Sequence, residues 1–235
     1  MSTIEATQGW RVFDPEMPVL TCAYSLGPAV SNALAVGVPG GLFLFSPPYR
    51  SRPELVAALQ DYGPVQALVA SNAFHHMGIP EWKAHFPDAA VFAPAQSVPR
   101  VKKKTRLNHV RPLAEARALT GERLELVDMP YYRTGEALVR IHSGRGLAWY
   151  VTDIILNLHS LPDNLLLQLL FRMTGSAPGL RFNKVGPKLM VRHMRALKLW
   201  LEAEYERMRP RWLIPTHGDI ADLEAERAAV QKLFA

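Results

Sequence analysis

The stretch VQALVASNAFHHMGIPEW (65–82) decides how this chain is read. Its opening VQALVA (65–70) is a short, bounded apolar run that predicts a buried strand, and IPEWKAHF (79–86) predicts a short helix. Between them lies SNAFHHMG (71–78), a loop with adjacent imidazoles at His75 and His76. Two further predicted strands also end on polar groups: GLAWYVT (146–152) runs into Asp153, and WLIPT (212–216) runs into His217-Gly218-Asp219. Loops held on the ends of rigid strands are where open α/β sheets collect ligand and catalytic groups. Three histidines and one aspartate suffice for a tetrahedral zinc, or for most of an octahedral iron or manganese shell.

Working outward, SNALAVGV (31–38) and LFLFS (42–46) flank a turn with paired glycines and predict a β-hairpin. Ser51 and Glu54 have capping-box spacing ahead of a helical stripe of Leu55, Val56, Leu59 and Tyr62. Further strands are predicted at AVFAP (90–94), RLELVDM (123–129) and EALVRIHS (136–143). LLLQLLFRM (165–173) reads as a helix that is apolar nearly all round, which requires burial beneath other elements or in a partner. A long helix through Met190, Met194, Leu197, Leu201, Tyr205 and Met208 follows, and a last helix begins at about Asp219. This alternation of strands and amphipathic segments predicts a layered α/β protein, one domain over 1–235 with 160–190 as a lid or interface insertion.

Composition narrows the classes. Hydrophobic residues make up 49% and charged residues 20% of the 235, which excludes global disorder. A lone cysteine, Cys22, excludes an intramolecular disulfide framework and a Cys-based zinc cluster, and fits a reducing compartment. The first residues lack the apolar core of a secretory signal, and no run approaches the ~20 apolar residues of a spanning helix. A cytoplasmic protein without membrane contact is the expectation. The net charge of +6 is concentrated at 89–114, which holds six basic residues and no acid. No aromatic residue lies between Phe92 and Tyr131 to stack on bases, so the basic run at 100–111 reads as a solvated loop rather than a nucleic-acid surface.

The order of elements resembles the metallo-β-lactamase superfamily, an αββα sandwich whose members are mostly metal-dependent hydrolases. The likeness runs from about Asn32 to His217. The segments NALAVGVPGGLFLFSPP (32–48), SNAFHHMGIPEWKAHFPDAAVFAP (71–94) and GRGLAWYVTDIILN (144–157) look like those of a divergent branch. Laid over the superfamily's His-x-His-x-Asp-His loop, the chain has Ser71 and Ala73 at the first two histidines and His75 at the aspartate. The third histidine of that first metal site falls near MPYYRTGE (129–136), where Tyr131 and Tyr132 stand. The second site matches His75, His76, Asp153 and His217, so the resemblance implies one divalent ion, zinc first, with iron or manganese as alternatives.

Two functions follow from that set. The first is a metal-dependent hydrolase in which Asp153 and His75 also serve catalysis. Its substrate would be a small ester, thioester, lactone or phosphoester, faced by Tyr131, Tyr132, Asn157 and His159. The second is a catalytically inactive survivor of the fold that binds a small molecule or a protein, homodimer included. His85, His109, His142 and His193 lack converging partners and read as structural or exposed.

Overall fold

The computed structural model describes residues 6–7, 9–26, 29–161 and 164–234. Residues 1–5 and 8 of the amino terminus read for a targeting signal, and Pro162 and Asp163 of the 160–190 segment, lie outside the described residues.

The first sheet follows chain order: β1 (Ala6–Thr7), β2 (Trp10–Asp14), β3 (Val19–Leu26), β4 (Ala29–Val38), β5 (Gly41–Phe45), β6 (Val65–Val69), β7 (Ala90–Ala93) and β8 (Val110–Pro112). Neighbours up to β5 are antiparallel; from β5 to β8 they are parallel. The connections between the parallel strands carry helices α1 (Pro53–Gln60), α2 (Ile79–His85) and α3 (Val98–Thr105). After a 3₁₀ segment, Leu113–Leu119, come β9 (Leu124–Asp128), β10 (Ala137–Ser143) and β11 (Gly146–Val151). The antiparallel pair β12 (Ile155–Leu158) and β13 (Gly179–Phe182) brackets helix α4 (Leu165–Thr174). Helices α5 (Pro187–Met190) and α6 (Met194–Met208) lead to β14 (Trp212–Pro215), β15 (Ala221–Asp222) and α7 (Arg227–Phe234). The second sheet is ordered β15-β14-β11-β10-β9.

Strand periodicity builds the layers, because successive side chains point to opposite faces. On β5, Leu42 and Leu44 pack with Leu59 and Trp82 under α1 and α2, whereas Phe43 and Phe45 face the second sheet. On β11, Ala148 and Tyr150 meet those phenylalanines, whereas Trp149 and Val151 lie with Leu197 and Leu201 of α6. Both sheets are thus apolar on both faces, which requires a helical layer outside each one. The result is the expected αββα sandwich.

Three local expectations change. Ser51 does not cap α1: its amide is bonded to Glu81 Oε2 at 2.9 Å, and the helix starts on Pro53, whose fixed φ suits a first turn. The long predicted helix is broken at residues 191–193, where Val191 takes extended backbone and bridges to Tyr132. The final helix starts later than Asp219, because Ala221 and Asp222 first pair with β14.

Parallel pairing of β11 with β14 brings Val151 opposite Pro215, so both strands deliver their following loops to one edge of the second sheet. The first sheet meets that edge through two clasps. Asn32 N donates to Thr216 O at 2.7 Å, and Ala137 N to Ser71 O at 2.8 Å. The loops after β6, β11 and β14 therefore converge between the sheets.

Candidate metal centre

Three of the four expected ligands meet. His75 Nε2 lies 3.4 Å and His217 Nε2 3.1 Å from the same oxygen, Asp153 Oδ1, and the three ligand atoms lie within 4.8 Å of one another. The two rings approach edge to face at 5.4 Å between centroids. Zinc–ligand bonds of about 2.0–2.1 Å at tetrahedral angles put adjacent ligand atoms about 3.3–3.4 Å apart. Both measured separations fall close to that edge length, so the donor set fits a divalent cation.

Neighbours hold His217, Asp153 and the loop of His75 so that the three coordinating atoms face one another. His217 Nδ1 donates to Val30 O at 2.9 Å, which fixes the ring and turns Nε2 towards Asp153. Asp153 Oδ2 accepts from Asn72 Nδ2 at 2.7 Å, leaving Oδ1 for the two imidazoles. Asn72 also shapes the loop that carries His75: its Oδ1 accepts from the amides of Phe74 (2.8 Å) and His75 (3.0 Å), an Asx turn. The same Nδ2 reaches Glu136 Oε2 at 3.0 Å, and Glu136 Oε1 accepts from Asp153 N at 2.8 Å. Neither Asn72 nor Glu136 is conspicuous in the sequence. Asn72, two residues past a strand and three before a histidine, carried an Asx-turn signal that spacing alone did not single out.

The electrostatics follow from this packing. Burial acts to raise the Asp153 carboxyl, but the charge of His75 and the hydrogen bonds from both imidazoles hold it well below the usual carboxylate range. Burial acts to lower His217, and the hydrogen bond and charge of Asp153 override it, leaving the imidazole above its ordinary value. Glu136, with no exposed surface, is pushed up to about 8 by burial and then by the Asp153 charge, so near neutral pH it is mainly the uncharged acid.

Three sequence expectations are corrected. His76 stands outside the converging group, because its Nδ1 is turned onto its own loop at Ala73 O, 3.0 Å away. Burial, with Arg100 nearby, keeps it below its ordinary pKa. Tyr132 is not a substrate contact: it is 3% exposed in the core beside Met129 and Trp149, its hydroxyl unpartnered among the described residues. Asn157 is fully buried; its Nδ2 donates to Asp219 O at 3.0 Å and its backbone N–H donates to His217 O at 3.1 Å. It clamps the His217 turn. Its backbone lies so close that a Cβ on Gly218, at φ +111°, would stand 2.0 Å from Asn157 O.

Tyr131 and His159 remain at the surface. Tyr131 is exposed and packs edge-on against His193 at 6.3 Å. His159 lies 4.0 Å from Asp219 and lines a 460 Å³ cleft with Val30, Asn32 and Gly218, directly behind His217.

The vacated first-site positions are filled. Ser71 and Ala73 are buried, and Ser71 ends a chain of hydroxyls in which Thr216 donates to Tyr150, Tyr150 to Ser46, and Ser46 to Ser71, at 2.9–3.0 Å. These two positions thus carry neutral hydrogen bonding and apolar burial rather than ligand side chains. Of the basic run, Val101 is buried and Lys102, Lys103 and Lys104 lie on the outer face of α3. Arg100 turns inward to brace the metal loop, its Nε on Ala73 O at 3.1 Å and its guanidinium 4.6 Å over the Phe74 ring.

No protein-family model matches the chain, and no curated protein matches it by sequence. Solved structures do. A metallo-beta-lactamase from Pontibacter korlensis aligns with TM-score 0.62 at 13% identity, over 96% of this chain and 97% of that one. The mono-zinc form of a metallo-beta-lactamase from Pseudomonas aeruginosa aligns with TM-score 0.57 at 15% identity, over 97% and 92%. A variant of the flavo di-iron protein from Thermotoga maritima aligns with TM-score 0.59 at 12% identity, over 94% of this chain and 60% of that one. Their shared architecture gives this chain the metallo-β-lactamase fold.

Proposed function

We propose that this chain, which carries the metallo-β-lactamase fold, is a single-metal hydrolase of a small ester, thioester, lactone or phosphoester. The observation that supports it most is the convergence of His75 Nε2, His217 Nε2 and Asp153 Oδ1 as three donors. Three protein ligands leave a coordination position open, the arrangement of catalytic rather than structural sites. Two imidazoles and a carboxylate suit zinc, and they are also the set that non-haem iron(II) takes. When bound, such an ion supplies water activation near neutral pH and polarises a carbonyl or phosphoryl oxygen.

The chain's own residues then divide the remaining work. Asn72 keeps Asp153 Oδ2 occupied, so Oδ1 is the oxygen that would hold such an ion. His76, on the same loop, has its Nδ1 turned onto Ala73 O and is held below its ordinary pKa by burial, and in this reading it is the residue assigned to accept a proton. Uncharged Glu136 beneath Asp153 adds no negative charge to a site that already holds one carboxylate. Cys22, free and buried, fits the cytoplasm as the working compartment.

A second reading is favoured by the closed first site: a fold survivor that binds without turnover. The test is a panel of nitrophenyl esters, thioesters, lactones and phosphodiesters with tag-free, metal-loaded protein. The hydrolase reading expects turnover that Asp153→Asn abolishes and His76→Gln slows without loss of metal. Metal-loaded protein inactive on every class, yet still binding a panel member after Asp153→Asn, would establish the second reading.

A further inference from the structure

Helix α4 has no buried residue, although it holds seven Leu, Phe or Met side chains among its ten. At 100° per residue, Leu165, Leu169, Met173, Leu166 and Leu170 occupy one arc of about 140°. They are 80%, 55%, 77%, 75% and 38% exposed, whereas half-buried Leu167 and Phe171 lie on the opposite face and hold the helix to the body. The all-round apolar pattern thus resolves into a narrow inward anchor and a wide outward arc. An exposed apolar surface of this kind marks an interaction site.

Charge identifies the partner. Residues 164–201 contain seven Lys or Arg and no Asp or Glu. Arg172 flanks the arc in the last turn of α4, and Lys184 joins it there: its amide donates to Ser176 Oγ at 2.9 Å and its Nζ lies near Gly175. Leu189, 82% exposed, sits between exposed Lys184 and Arg192 in the chain. An isologous dimer through this face would set the cations of one copy against those of the other. We infer that α4 and the basic segment after it dock the protein on the surface of an anionic lipid bilayer. The leucine arc enters the acyl boundary, and long cationic side chains reach the headgroups.

This is adsorption and not insertion across the bilayer: α4 is about 15 Å long against a hydrocarbon core of about 30 Å. No helix among the described residues is long and apolar enough to cross. A search of the sequence for spanning runs therefore misses it, which is why membrane contact was not expected. The inference rests on the exposed arc and the charge, and is independent of the metal.

The test is flotation of the full, tag-free chain with vesicles of phosphatidylcholine alone and of phosphatidylcholine with about one third phosphatidylglycerol. Binding is expected to the anionic vesicles only, and to weaken as salt rises. Leu166→Asp/Leu169→Asp should lose at least about tenfold in partitioning, and Arg172→Glu/Lys184→Glu at least about fivefold for each cation removed. All four sites are at the surface, and circular dichroism verifies that each variant is folded. The inference is overturned by no flotation of the parent, by equal binding to both vesicles, or by variants that float like the parent. It is equally overturned by a dimer in solution that Leu166→Asp/Leu169→Asp splits, since a second copy would then cover the arc.

Discussion

Asn72 ties the histidine loop to Asp153, bonding Asp153, Glu136 and the amides of Phe74 and His75 with one side chain. Replacing it with Leu removes the donor that reserves Asp153 Oδ1 for the ion and the acceptor that shapes the histidine loop. Metal affinity should fall about 10–100-fold, the range for lost outer-shell partners, measurable by competition with a chromophoric chelator. Glu136 gives a pH prediction. Its folded value of about 8 lies above the ordinary 4.5, so between those values the folded state holds a proton that the unfolded state has released. Stability of chelator-treated protein must then fall as pH rises through that window, with a slope approaching about 1.4 kcal/mol per pH unit from this one group. His217, also raised, acts in the same direction above its ordinary 6.5. Urea titrations from pH 5 to 9 check this, and Glu136→Gln should flatten the slope; an unchanged slope would place the proton elsewhere. The convergence of His75, Asp153 and His217 was legible because each follows a strand end. His76 stands apart from it because adjacency in sequence says nothing about which ring turns inward, and Asn72 was not legible because its side-chain partners are 64 and 81 residues away in the chain.

At the scale of elements, the turn after β14 is the part with least tolerance. Gly218 takes φ +111° against the Asn157 backbone, so Gly218→Ala must displace either β12 or His217. We expect it to cost metal affinity more than a comparable substitution at an exposed positive-φ glycine such as Gly40, with the midpoint of metal titration as the readout. Helix α4 is the opposite case. Leu166→Asp replaces a side chain that is 75% exposed, so thermal unfolding should move by no more than about 0.5 kcal/mol. A loss of several kcal/mol would mean that the arc is buried in the working protein. The sequence identified α4 as a helix and as apolar on nearly every face, but periodicity alone could not separate the half-buried anchor of Leu167 and Phe171 from the exposed arc. That division depends on which side of the helix β12 and β13 present to it.

For the whole molecule, the αββα layering was legible because the two faces of β5 and β11 are both apolar and the strands alternate with helical stripes. Convergence at one edge was not, since it depends on the clasps from Asn32 to Thr216 and from Ala137 to Ser71 between sheets far apart in sequence. An ion at that edge ties the β6 loop to the ends of β11 and β14, so loading should stabilise both sheets together. At a free concentration one hundredfold above Kd it would add about 2.7 kcal/mol to unfolding, in a single transition. The central claim is that His75, Asp153 and His217 hold one divalent ion without help from His76. The direct measurement is metal content and cobalt(II) absorption of tag-free protein after loading and desalting, for the parent, Asp153→Asn, His75→Asp and His76→Gln. The account predicts one ion per chain in the parent, His75→Asp and His76→Gln, and severe loss in Asp153→Asn, which removes the only anionic ligand. Asp153→Asn loading as fully as the parent, or His76→Gln losing the ion, would contradict it.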